Sequence, residues 1–224
     1  MRQAFVSLLE SFAGDVSKSI DRYQVGSRVV PARRTLYREG EPVAEFAQLL
    51  EGWAFRFKLL PDGRRQILSI VLPGEPVALH TLWTDQPSFS VQSLTDIELR
   101  LFDRQALIDH LRRDGALAFR LGEAVARELM VYENRIINLG QLTALERVTR
   151  LILNLHARLK QRELANDGVF PFPLRQQHIA DTLGMTPVHV SRVFSELRAA
   201  RLIDRVGLML AILDYQRLLD IAGL

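Results

Sequence analysis

The stretch QQHIADTLGMTPVHVSRVFS, from Gln176 to Ser195, decides the fold of the C-terminal part of this chain. Ile179, Ala180 and Leu183 recur at a spacing that lays them on one face of a helix. Gly184 then lets the chain turn without a side chain in the way, and Met185 fills the corner. Thr186-Pro187 opens a second helix, with a hydroxyl N-cap followed by proline at the first helical position. Val190, Val193, Phe194 and Leu197 continue as its inner face. Val188, His189, Ser191, Arg192 and Ser195 are left facing outward. They form a short, neutral-to-basic surface of the size that enters a DNA major groove. A plain helical hairpin shares the inner pattern, so the surroundings have to separate the two.

Downstream, Leu202 to Ile212 (LIDRVGLMLAI) reads as two short strands around a turn at Gly207, a wing beside the second helix. Upstream, Ala118, Leu121, Val125, Leu129, Tyr132, Ile136 and Leu139 recur at steps of 3, 4, 4, 3, 4 and 3, and Asp103 is the N-cap expected ahead of this helical region. A seam of this kind suits a helix lying on its own domain or a dimer interface. Its place between two domains, and the twofold that palindromic DNA demands, favour the interface.

From about Pro31 to Phe102 the period is two. Phe55-Arg56-Phe57-Lys58-Leu59 and Ile97-Glu98-Leu99-Arg100-Leu101 alternate, and Gly40, Gly52, Gly63 and Gly74 punctuate the segment at spacings of 12, 11 and 11. Short strands with turns at that interval predict a small β-sandwich, jelly roll or barrel, whose interior is a place for a ligand. The expected class is α+β. It comprises a β-sandwich sensor domain over residues 1–110, a dimerisation helix over 111–143 and a winged helix-turn-helix over 144–224.

Charge agrees with this division. The 29 basic and 26 acidic side chains leave a net charge of +3; residues 1–140 hold 18 of each, while residues 141–224 hold 11 against 8. The excess lies where DNA would bind, and it is small enough that basic groups must act one by one rather than as bulk charge. The absence of cysteine excludes disulfides, thiolate-held zinc and cysteine-held iron–sulfur clusters. No stretch has the length and apolarity of a membrane span, and the N-terminal MRQAFVSLLESF carries Glu10 where a signal peptide needs its apolar centre, so a cytoplasmic protein is expected.

Taken in order, LYREGEPVAEFAQLLEGWAFRFKLLPDGRRQILSIVLPGE (Leu36–Glu75), ALERVTRLILNL (Ala144–Leu155) and QQHIADTLGMTPVHVSRVFSELRAARLI (Gln176–Ile203) resemble the CRP/FNR superfamily of bacterial transcription regulators. The resemblance covers nearly the whole chain from about Leu36. It implies a homodimer on palindromic double-stranded promoter DNA, acting as an activator through RNA polymerase. The family's reading helix commonly shows Glu-x-x-Ser-Arg. Here Ser191 and Arg192 match, while Val188 stands in the acidic position. The resemblance thus implies that Arg192 reads a guanine, whose O6 and N7 suit its paired donors, and leaves open the base that the glutamate would choose. Thr186 at the helix start and Arg201 and Arg205 near the wing are the expected phosphate anchors.

The sensor segment departs from the family's cyclic-nucleotide binders. They carry Gly-Glu-Leu and then Arg-Ser around the cyclic phosphate; this chain has Ala78-Leu79-His80 and Pro87-Ser88-Phe89-Ser90, with no arginine between Arg65 and Arg100. Where those members place Thr-Ser for the base, Tyr132-Glu133 stands. A phosphate buried without a cation is costly, so cyclic AMP is not expected; no cofactor is assigned, and the effector is left open. His80 falls near the axial histidine of the superfamily's haem-based sensors, a match of one residue, and a packed side chain is the competing reading. No Ser/His/Asp set or phosphate-binding glycine loop is present, so no enzyme is expected. The alternative to a DNA-binding regulator is a haem- or small-molecule sensor whose C-terminal domain docks protein.

Overall fold

The computed structural model describes residues 17–224, so the N-terminal segment weighed above as a signal peptide lies outside the described residues. Contacts divide the described chain into two compact units, meeting between Met130 and Val131.

In the first unit, α1 (Ser17–Ile20) and a single 3-10 turn lead into seven strands. These are β1 (Gln24–Val30), β2 (Thr35–Tyr37), β3 (Glu45–Glu51), β4 (Ala54–Leu59), β5 (Arg65–Val71), β6 (Ser90–Ser93) and β7 (Ile97–Asp103). They form two antiparallel sheets, β1-β7-β3 and β2-β6-β4-β5. Alternate residues of both sheets, among them Ala47, Leu49, Leu99 and Leu101 from one and Ala54, Val71 and Val91 from the other, join a single buried cluster. This is the sandwich that a period of two demands. The four glycines read as turn marks all have positive φ. At Gly52 space adds to the constraint: a Cβ there would lie 2.2 Å from the Asp96 carbonyl oxygen.

The alternation of β4 does not divide it into a buried and an exposed face, since Ala54 to Phe57 are all buried. Phe55 and Phe57 lie under the Arg65 guanidinium, 4.9 and 5.9 Å from its centre. Arg56, 6% exposed, is buried between them. Its guanidinium donates to the carbonyls of Val77 (2.8 Å) and Pro76 (2.7 Å), pairs with the Glu128 carboxylate and sits 5.4 Å from the Phe89 ring. A buried charge is tolerable because it is paired and hydrogen-bonded at once.

Asp103 caps α2 (Arg104–Leu111), accepting from the Ala106 amide, and Asp114 accepts from Leu117 at the start of α3 (Gly115–Gln141). Phe46 and Phe102, on the other face of the β3–β7 pair, pack with Ile20, Leu107, Leu111, Leu117, Leu121 and Ala124. This corrects the seam at one end: Leu121, 1% exposed, is spent on its own β-domain. A three-four spacing marks an apolar helix face without saying what covers it.

The second unit contains the last turns of α3, then α4 (Ala144–Lys160), β8 (Val169–Pro171), α5 (Gln176–Leu183), α6 (Pro187–Ala199), β9 (Ile203–Val206), β10 (Met209–Ile212) and α7 (Tyr215–Ala222). Thr143 and Glu146 cap α4 reciprocally: Glu146 accepts from the Thr143 amide at 2.7 Å. The wing read from the sequence is the β9–β10 hairpin around Gly207, and β8 adds a third strand to it, order β8-β10-β9. The core gathers Val148, Ile152, Phe170, Phe172, Ile179, Val190, Phe194, Leu210 and Leu218. Within it His156 lies 5.4 Å from the Phe170 ring and 5.6 Å from Tyr215.

Two expectations follow. Glu128→Ala removes the carboxylate from a buried guanidinium that keeps two carbonyl acceptors; the loss is expected to be about 3 kcal/mol, the low end for a broken buried pair, read by urea unfolding. A loss near zero would show the pair to be idle. Burial first, and then the charge of Lys160, hold the His156 pKa below its usual 6.5. The unfolded chain therefore takes up a proton that the folded chain refuses, so stability is present above about pH 6.5 and falls as the pH drops below it. His156→Phe is expected to flatten the fall of melting temperature between about pH 7 and pH 5.

Candidate nucleic-acid interface

The helix pair is built as its sequence prescribes. Ile179, Ala180 and Leu183 are buried on α5. Gly184 takes a left-handed conformation, φ 63° and ψ 44°, with its amide donating to the Ala180 carbonyl, so the helix closes on a residue without a Cβ. Met185 donates to the same carbonyl at 3.1 Å. Thr186 caps α6, its hydroxyl accepting from the His189 amide at 3.2 Å, and Pro187 occupies the first turn. Val190, Val193, Phe194 and Leu197 are buried.

This burial fixes what is left outside. Val188 is 72% exposed; His189, Arg192 and Ser195 are exposed and Ser191 partly so. The Ser195 hydroxyl donates to the Ser191 carbonyl at 3.0 Å, which holds it against the helix. Together these side chains make a ridge with one cation, Arg192, near its middle, beside the amide-rich start of the helix. Such a ridge can meet base edges with its centre and a phosphate with its N-terminus. Arg201 is exposed just beyond α6, in a left-handed conformation of φ 54°. Thr186 is also exposed, so two of the three expected phosphate anchors are accessible.

Arg205 is not free to act as a phosphate anchor, which corrects its expected role. Its Nη2 donates to the carbonyls of Leu174 (2.9 Å) and Phe172 (3.3 Å), and the guanidinium lies 5.3 Å from the centre of the Phe172 ring. Burial, then the neighbouring charge of Arg198, lower its pKa. The side chain pins the wing to the segment ahead of α5 rather than reaching outward. Two cations that the sequence reading passed over are exposed instead: Arg175, before α5, and Arg198, in the last turn of α6. Helical spacing could have found Arg198, which lies seven residues after Ser191 and three after Ser195.

Along α3, Val125, Leu129 and Ile136 are exposed, the last two by 59% and 72%, while Ala118 and Tyr132 are partly exposed. Phe119, Met130 and Ile137 extend the exposed apolar side chains beyond those read from the sequence. Leu139 is a second correction to the seam. Its Cδ2 lies 3.9 Å from where a Cβ on Gly184 would stand, so it backs the helix turn.

In the β-domain, His80 is partly buried; its Nε2 accepts from the Ser88 amide at 3.1 Å and its ring lies 4.7 Å from that of Phe89. Burial, and then the Arg56 charge, lower its pKa. This is the packed reading of the residue, with the ring nitrogen that an axial ligand needs already engaged. A cyclic nucleotide does not fit the residues present either. The buried arginine of this unit, Arg56, is committed to two carbonyls and a carboxylate, whereas a cyclic phosphate needs a cation with donors to give. Among the described residues no group of three metal-ligating side chains occurs, and no helix is long and apolar enough to cross a membrane.

Comparison with known proteins agrees with both units. Residues 27–114 match the cyclic nucleotide-binding domain model and residues 146–221 the Crp-like helix-turn-helix domain model. The transcriptional activatory protein AadR of Rhodopseudomonas palustris is 31% identical over 185 residues, spanning 83% of this chain and 76% of its own. The nitrogen fixation regulation protein FixK of Bradyrhizobium diazoefficiens is 31% identical over 189 residues, 84% of this chain and 78% of its own. Among solved structures, FixK2 from Bradyrhizobium japonicum superposes with a TM-score of 0.79 at 29% identity, covering 88% of this chain and 96% of that one. These matches select DNA over protein docking for the C-terminal unit, and regulation over catalysis for the whole. The chain belongs to the CRP/FNR family of DNA-binding transcription regulators.

Proposed function

We propose that the protein works as a homodimer whose two α6 helices read the halves of an inverted repeat in promoter DNA, and that it activates transcription from there. The observation that carries this reading is the ridge of Val188, His189, Arg192 and Ser195, exposed on a helix whose opposite face is buried and whose start is fixed by Thr186. Arg192 gives the paired donors for guanine, with Ser191 beside it. Thr186 and Arg201 hold phosphates and set the register of the helix on the duplex. Val188 offers a methyl-bearing surface where the family's glutamate would accept a hydrogen bond, which suits the methyl group of a thymine.

The dimer rests on Ala118, Val125, Leu129, Tyr132 and Ile136, joined by Phe119, Met130 and Ile137. Dimers are the habit of this family, and a twofold matches an inverted repeat. In functional terms the chain then divides into a β-domain to about residue 110, a dimer helix to 143 and a DNA-reading part from 144. The naming of the R. palustris relative as an activatory protein supports activation; a contact to RNA polymerase, made in the cytoplasm, belongs to the same proposal.

Binding-site selection is expected to return an inverted repeat whose half-site centres lie about one helical turn apart. Arg192→Ala should cost roughly 1–3 kcal/mol on that repeat and relax the choice at one guanine per half-site; full affinity with unchanged base preference would remove α6 as the reader. Leu129→Glu places two carboxylates in the seam and is expected to leave monomers at micromolar concentration. Sedimentation of that variant as an intact dimer would refute the seam.

A further inference from the structure

The C-terminal end of α5 is held from outside its own helix pair. Arg135, on α3, donates from Nη2 to the Thr182 carbonyl at 2.7 Å. Arg147, on α4, donates from Nη1 to the next carbonyl, Leu183, at 3.2 Å, and from Nε to Leu142, between α3 and α4, at 2.7 Å. Leu139 stands against Gly184. A third guanidinium, Arg150, joins Asn138 on α3 (2.8 Å) to the Ala222 carbonyl at the end of α7 (2.7 Å).

The last carbonyls of a helix lack partners within it and carry the negative end of its dipole, so an arginine is a natural cap. What exceeds capping is the origin of these caps. Arg135, Asn138 and Leu139 stand three and four residues apart, on one face of α3, and all three engage the DNA-reading unit. The two carbonyls gripped at the end of α5 immediately precede Gly184, the turn that aims α6. Burial brings the Arg135 pKa down to about 10, which leaves it charged near neutral pH.

We infer that Arg135 is a positioning residue: with Arg147 and Leu139 it fastens the turn ahead of α6 to the end of the dimer helix, and so sets the separation of the two recognition helices. This rests on the dimeric reading above. If the fastening holds, the paired helices tolerate only one half-site spacing, because the turn cannot drift relative to α3. If it is loosened, each helix still reads its own half-site while the pair loses its fixed span.

The test compares the affinity of the full-length protein for three duplexes: the selected inverted repeat, the same repeat with one base pair added between the halves, and a single half-site. Arg135→Met is expected to lose about tenfold on the intact repeat, to hold its half-site affinity within about twofold, and to discriminate less against the added base pair. Arg135→Lys, which keeps the charge and a donor for the Thr182 carbonyl, is expected to recover most of the loss. Unchanged affinity and spacing preference in Arg135→Met would overturn the inference, as would an equal loss on the half-site, which marks ordinary support of the domain's fold. Leu139→Ala, read on the same duplexes, replaces Arg135→Met if that variant does not fold. A wild type indifferent to spacing would overturn the dimeric reading itself, whereas a spacing-selective wild type beside an unaltered variant would overturn only the role of Arg135.

Discussion

The reading surface of this protein depends on the left-handed turn at Gly184. A residue with a Cβ in that conformation crowds its own carbonyl, at a cost of roughly 1–2 kcal/mol, so glycine is what allows α5 to end there. Because α5 ends there, Met185 can return to the Ala180 carbonyl, Thr186 can cap the next helix, and Val190, Val193, Phe194 and Leu197 can reach the core. Burial of those four fixes the rotation of α6 about its axis. The rotation in turn presents Val188, His189, Arg192 and Ser195 to the outside. Which side chains α6 offers to the outside is therefore a consequence of which residues had to be buried.

The β-domain uses charge differently. Its sandwich carries Arg56 inside, paired with Glu128 and held by the Pro76 and Val77 carbonyls. Breaking such a pair costs far more than the net worth of having it, so it fixes where the middle of α3, at Glu128, lies on the sandwich without adding much to the stability of the domain. The segment that closes over Arg56 is the one in which cyclic-nucleotide binders keep their phosphate contacts. A fold can be shared without its ligand being shared.

Much of this was legible in the sequence, and the exceptions share a cause. The helix-turn-helix, its cap and the wing were legible because each depends on neighbours within a few residues: Gly184, the Thr186-Pro187 pair, Gly207. The sandwich was legible from its period and from glycines that all proved to have positive φ. Residue type misled where a side chain's partner is distant in sequence. Arg56 alternates as an outward residue would, yet its partner Glu128 is 72 residues away. Arg205 sits on the wing, yet its acceptors lie 31 and 33 residues back. Leu121 and Leu139 keep the spacing of the seam but turn to their own units, since periodicity marks a face and not its occupant. Strand β1 escaped notice because, at a sheet edge with most of its side chains exposed, it has no alternation to show; β8, at three residues, is too short for one.

The central claim is that two copies of α6 read one duplex, each from the ridge around Arg192. Hydroxyl-radical footprinting on the protein's own operator, with the protein-to-duplex ratio measured in the same complex, tests it most directly. The account predicts two chains per duplex, with protection in windows about one helical turn apart on one face of the DNA and symmetric about a central dyad. A single protected window, or one chain per duplex at saturation, would contradict it.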